Sequence, residues 1–237
     1  MNRKTLRTIA LRSVALGAAF GAAWQAQAQD AKTPYPSLAP LEQYLIADRN
    51  SEIAMAKSAA PESISRDAAV MVLTRHGYEA AVKGKNGFVC MVERSWIAPS
   101  DDPEFWNPKV RSPICFNVPA ARSYLPRVIK KTEWVLAGRS KAQIFDALKA
   151  ATDRRELPAM ASGAMCYMLS KQTWNDRYGR WHPHLMFFFS GNDPKAWGAN
   201  LPGSPIFAFN DLHEGLTTFL IPVGQWSDGT ADTEHEQ

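Results

Sequence analysis

The first 28 residues constrain this chain most, because they set the compartment in which the rest must fold. Arg3, Lys4, Arg7 and Arg12 make a basic head with no acid, residues 14–24 are almost all small or apolar, and Ala26-Gln27-Ala28 closes the stretch. That is the pattern of a secretory signal peptide cleaved after Ala28. Its apolar part is shorter than the roughly 20 residues that span a bilayer. A chain exported this way, to the periplasm or beyond, folds where disulfides persist.

Charge is informative only once the leader is set aside. The sequence has 27 Lys and Arg against 23 Asp and Glu, a balance that invites a nucleic-acid or anionic-membrane reading. Four of the bases belong to the leader, so the remainder is formally neutral and that reading lapses. No later apolar run is long enough to cross a membrane, and the first cysteine, Cys90, lies far from any lipid-anchor position. The expectation is one globular domain over 29–226 and a disordered acidic tail over 227–237.

Cys90, Cys115 and Cys166 permit one disulfide and leave one thiol. Cys90–Cys115 is preferred because it closes a stretch rich in Pro, Asp and Trp. The other two pairings stay open, as do three buried, reduced thiols.

Residues 29–40, with Pro34, Pro36 and Pro40, read as an extended surface segment, and 41–60 as a helix ended by Pro61. The apolar run 68–73 reads as a buried strand. Runs at 78–82 and 88–92 flank Asn86-Gly87, the strongest hairpin signal in the chain. Residues 98–126, dense in Pro, Asp, Ser and Arg, read as a long irregular excursion. Ser140 with Gln143 forms a capping-box pattern ahead of a stripe of Ile144, Phe145, Leu148 and Ala151. Strands follow at 164–169, 184–189, 206–209 and 217–223. The sum is an α+β fold with a mainly antiparallel sheet, an N-terminal helix and one mid-chain helix.

Three groups of residues carry candidate chemistry. Leu73-Thr74-Arg75-His76-Gly77, an apolar strand ending in Arg-His-Gly, resembles the signature of the histidine phosphatases. That likeness implies His76 as nucleophile, Arg75 as a phosphate ligand, and His184 or His213 as the second histidine. The plainer reading is a solvated polar turn. In Trp181-His182-Pro183-His184, the two histidines are two apart and share a strand face. With His213 or Glu214 they have the chemistry to hold zinc and activate water, and Asp176 and Asp193 flank the region. A buried histidine that simply finds a hydrogen-bond partner is the plainer alternative. Trp96, Trp106, Trp174, Trp181 and Trp197 all lie beside polar, Gly or Pro residues. Tryptophans so placed suit stacking on an envelope saccharide or a small apolar ligand, or else lock loops onto the sheet. The sequence lacks a Gly-x-Ser-x-Gly elbow, Ser-x-x-Lys, His-Glu-x-x-His, Cys-x-x-Cys and a glycine-rich phosphate loop.

Four segments together resemble a family of exported bacterial proteins with no assigned activity. They are Glu52-Ile53-Ala54-Met55-Ala56-Lys57-Ser58-Ala59-Ala60-Pro61, Asn86-Gly87-Phe88-Val89-Cys90, Tyr167-Met168-Leu169-Ser170 and Pro183-His184-Leu185-Met186-Phe187. The resemblance spans most of the exported chain and implies no cofactor or catalytic residue. The expected role is therefore binding or structural, with metal-dependent hydrolysis and phosphomonoester hydrolysis as alternatives.

Overall fold

The computed structural model describes residues 35–174, 181–191 and 193–233; the segment read as a signal peptide and the last four residues are among those outside this description. Among the described residues, eight strands form one sheet: β1 (Ala69–Thr74), β2 (Gly77–Val82), β3 (Val89–Glu93), β4 (Ser112–Phe116), β5 (Met165–Met168), β6 (His184–Ser190), β7 (Phe207–Asp211) and β8 (Leu216–Pro222). Their order is β2-β1-β3-β4-β5-β6-β8-β7. Every pairing is antiparallel except β1 with β3. The helices are α1 (Arg49–Lys57), the short α2 (Glu62–Ser65), α3 (Val118–Ser123), α4 (Leu125–Leu136) and α5 (Lys141–Asp153). The α+β class with a mainly antiparallel sheet is as the sequence predicts.

Successive side chains alternate between the sheet faces, and each face has its own core. Val70, Val72, Cys90, Val92 and Cys115 pack with Ala56 and Ala59 on one face. Leu73, Met91, Ile114, Phe116, Cys166 and Phe188 pack on the other, with Val128 and Val135 of α4 and Ile144 and Leu148 of α5. Ser140 caps α5 through the predicted reciprocal box with Gln143. The Cys90–Cys115 disulfide forms, as preferred from the sequence, but between directly opposed residues of β3 and β4. Cys166 is a buried free thiol on the other face.

Four expectations need correcting. The hairpin is at Arg75-His76, where Thr74 pairs with Gly77, not at Asn86-Gly87. Asn86 instead donates from Nδ2 to the Ile64 carbonyl and accepts the Phe88 N–H, while the Lys85 N–H reaches the Asp67 carbonyl. These bonds carry the chain across the start of β1, so β3 lies parallel to β1 on its far side. The helix expected over 41–60 is a single 3₁₀ turn at Leu41–Gln43 followed by α1, because the Asp48 carboxylate accepts the N–H groups of Asn50 and Ser51 and starts a new helix.

The irregular excursion ends early. Pro113 sits in β4 opposite Val92, while the prolines at the starts of α3 and α4 occupy first-turn positions where no N–H is required. The tail is folded through Thr233. Gln225 pairs with Ala231, the Ser227 N–H reaches the Leu169 carbonyl, and Asp232 is buried. Asp228 organises this turn by accepting from Thr230 and pairing with Lys171 at the surface.

Candidate functional site

Alternation along β6, β8 and β7 sends His184, Met186 and Phe188, then Leu216, Thr218, Leu220 and Pro222, then Phe207, Phe209 and Asp211, to a single face. There they line a cavity of about 340 Å³. Glu93 at the end of β3, Ser112 at the start of β4 and Met168 at the end of β5 continue the same wall. Ser95, Tyr124 and Trp181 also line it. Phe207 and Phe209 are 51% and 39% exposed while lining the cavity, which makes them its outer rim. The walls are chiefly apolar.

Among the described residues, four that line the cavity each carry a buried polar atom without a hydrogen-bond partner: Glu93 Oε1, Ser95 Oγ, Trp181 Nε1 and His184 Nε2. Native proteins pair nearly all such atoms, so four of them on residues that line one cavity are the distinctive feature of the site. Burial pushes the Glu93 carboxyl up to about 8, with Lys131 pulling it down and Glu214 pushing it further up. It is therefore a neutral acid at pH 7. Burial also drives His184 down to about 4. Its Nδ1 lies 2.8 Å from the His182 carbonyl, which only accepts, so Nδ1 carries the proton and Nε2 is a bare acceptor. The Trp181 and His184 rings pack with centroids 4.7 Å apart. β3 and β6 are three strand spacings apart, so Glu93 and His184 occupy walls separated by roughly 14 Å at the backbone.

The other charged residues here are already engaged. Lys131 Nζ lies 2.6 Å from Glu214 Oε1 in a buried pair and also reaches the Ile97 carbonyl. Arg94 donates to Glu52 and to the Tyr44 and Val92 carbonyls. Asp211 accepts the N–H groups of His213 and Glu214 and so shapes the turn between β7 and β8.

The residues predicted from the sequence are dispersed. His76 and Arg75 form the β1–β2 turn, where Arg75 pairs with Glu42 and both side chains are more than half exposed. β1 and β6 are four strand spacings apart, about 19 Å, so His76 is not brought to His184. His182 and His184 both line the cavity, but His182 Nδ1 is 2.7 Å from Asp232 and His213 packs on Phe145. Among the described residues no group of three or more His, Cys, Asp or Glu side chains is arranged to hold a metal ion. Asp193 caps the turn at Pro194–Trp197 through the Lys195 N–H, and Asp176 lies outside the described residues. Of the five tryptophans, Trp181 lines the cavity. Trp96 is buried and donates to Thr132, and Trp106 is buried beside Phe105. Trp174 meets Lys109, and Trp197 stacks on Phe219. They do not share one cleft.

Glu93, Ser95, Tyr124 and Lys131 were not singled out from the sequence. The available signal was alternation: Glu93 stands two residues after the core residue Met91 and so must face the same core. None of the described helices is long and apolar enough to cross a membrane. No family model, curated protein or solved structure matches the chain.

Proposed function

We propose that this chain is an exported binding protein that encloses a small, largely apolar molecule bearing a polar end. The observation that carries this reading is a cavity lined by aromatic and aliphatic side chains together with four residues whose buried polar atoms lack partners. Leaving such atoms unsatisfied costs roughly 1–3 kcal/mol each, and a ligand that pairs them recovers that cost. Small-molecule sites have this character, with mostly apolar walls and a few placed polar groups. The leader pattern and the Cys90–Cys115 disulfide support a location outside the cytoplasm. Of the tryptophans expected to contact ligand, this reading keeps Trp181.

The test is calorimetric titration of the purified protein with 2-naphthol, a probe with an apolar body and one hydroxyl. Leu220→Trp, which fills the cavity from β8, is titrated in parallel. Saturable one-site binding that weakens at least about tenfold in Leu220→Trp, at an unchanged melting temperature, is the expected result. Equal affinity in the two proteins would place the probe elsewhere and remove the reading.

A further inference from the structure

We propose that the molecule held in this cavity is an organic cation, a protonated amine on an aromatic or aliphatic body, with Glu93 as its counter-ion. This rests on the binding reading above and adds the ligand's chemical class. The argument is an accounting of charges around one carboxyl group. Glu93 is buried at the end of β3 on the cavity wall, and nothing donates to its Oε1.

Among the described residues, the basic side chains nearest to it are committed elsewhere. Lys131 is held by Glu214 at 2.6 Å, so that pair presents no net positive charge. Arg94, next along the chain, is taken up by Glu52 and two carbonyls. The other ionisable groups nearby are the Tyr78 and Tyr124 phenols and the Cys166 thiol, all kept neutral by burial, the neutral His184 across the cavity, His182, which pairs with Asp232, and the acids Asp102 and Asp211 on the lining. Among the described residues, the cavity thus contains a carboxyl without a counter-ion and none of the free buried cations that an anionic ligand would require.

The walls suit such a ligand. Trp181 lines the wall, the stacked Tyr124 and Phe188 rings back it, and Phe207 and Phe209 surround the opening. An ammonium group gains from aromatic faces as well as from a carboxylate, most of all when water is excluded. Without ligand, burial holds Glu93 as the neutral acid. Arrival of an ammonium group favours the carboxylate, so binding at neutral pH releases a proton from Glu93 to the buffer.

Three probes of nearly the same shape separate the possibilities: 2-phenylethylammonium, 2-phenylethanol and 3-phenylpropionate. Each is titrated calorimetrically into the protein and into Glu93→Gln. The expected result is ammonium binding roughly tenfold or more tighter than the alcohol, with that preference lost in Glu93→Gln. Should Glu93→Gln fail to fold, the wild-type pH profile decides. The ammonium affinity should rise about tenfold from pH 6 to pH 7 and level off above about 8 while the alcohol affinity stays flat. Equal binding of ammonium and alcohol, or tighter binding of the carboxylate, overturns the assignment of a cation but leaves the cavity as a binding site if 2-naphthol still binds there. Failure of all three probes together with 2-naphthol removes the binding reading itself.

Discussion

Glu52 and Glu93 are both buried carboxyl groups attached to the same sheet, 1% and 6% exposed, yet their surroundings are opposite. Glu52, on α1, accepts from Arg94 Nη2 at 2.9 Å and from the Leu73 N–H at 3.1 Å. It ties α1 to the ends of β1 and β3. Glu93, at the end of β3, has an oxygen to which nothing donates. The half of the sheet built from β1, β3 and β4 is packed on both faces and cross-linked by Cys90–Cys115, except where Glu93 and Ser112 at the paired ends of β3 and β4 reach the cavity. The half built from β6, β8 and β7 has a cavity on one face. Where a buried charge is fully matched, the fold uses it as a fastening. An unmatched one beside a cavity is the kind of defect that binding sites retain.

The sharpest way to break this comparison is to remove each carboxylate in turn. Glu52→Ala leaves the Arg94 guanidinium buried beside no acid and the Leu73 N–H without its acceptor. The expected cost is about 3–5 kcal/mol, read from the urea midpoint. Glu93→Gln deletes no hydrogen bond to Oε1 and, because glutamine does not ionise in the unfolded chain, should leave the protein no less stable at neutral pH, and more stable if Glu93 stays protonated in the fold. Equal losses in the two variants would mean that Glu93 is a structural fastening too, and the distinction between the halves would fall.

The second prediction concerns pH. Glu93 has its folded-state value raised from the ordinary 4.5 to about 8. Its contribution to stability is therefore complete below about 4.5 and declines as pH rises, because between those limits the unfolded chain has released the proton and the folded protein has not. The expected slope is about 1.4 kcal/mol per pH unit, ending above about 8. His184, lowered from 6.5 to about 4, acts in the opposite sense, with stability rising as pH climbs from 4 to 6.5. The two effects offset each other up to about pH 6.5, beyond which only the Glu93 decline remains. Thermal melts of the wild type should fall from pH 6.5 to 8, and Glu93→Gln should flatten that fall and melt higher at pH 8. A variant curve parallel to the wild type would show that Glu93 ionises normally in the folded protein.

Much of the packed half was legible in the sequence. The run before Thr74 forms a strand, the Ser140–Gln143 box starts α5, and Cys90 bonds Cys115, all from local patterns. What local patterns could not reveal is which side of β1 receives β3. Asn86-Gly87 has the chemistry of a tight hairpin, and only long-range bonds to Ile64 and Asp67 redirect it. α4 was hidden because its inward positions include Arg127, Lys131 and Thr132, so its stripe of Leu125, Val128 and Val135 is diluted by polar residues. The candidate site was the least legible part. The conspicuous residues, Arg75-His76 and most of the tryptophans, serve turns and packing, whereas Glu93 is an unremarked acid at a strand end. Its significance lies in what fails to surround it, and a one-dimensional pattern does not carry that information.

The comparison also extends to the two edges of the sheet, where the smallest effect is expected. An uncovered edge strand offers free N–H and C=O groups to a second chain. At the β2 edge Arg49 of α1 donates to the Ala80 carbonyl at 3.3 Å. At the β7 edge the cover is one side chain. Asn200 Nδ2 donates to the Ala208 carbonyl at 2.7 Å, and Asn200 Oδ1 accepts the Ala208 N–H at 3.0 Å, so the amide takes the place of a ninth strand. Asn200 sits at φ +59°, a left-handed conformation that asparagine tolerates better than most residues. Asn200→Gly keeps that backbone accessible and deletes only the cover. It should destabilise the protein by about 1 kcal/mol and shift sedimentation toward larger species as concentration rises. Asn200→Ala loses the cover and adds the left-handed penalty of roughly 1–2 kcal/mol, so the difference between the two variants isolates the backbone term. If Asn200→Gly sediments as the wild type does, the β7 edge is protected by something other than this amide, and the open half of the sheet is better guarded than its bonding pattern implies.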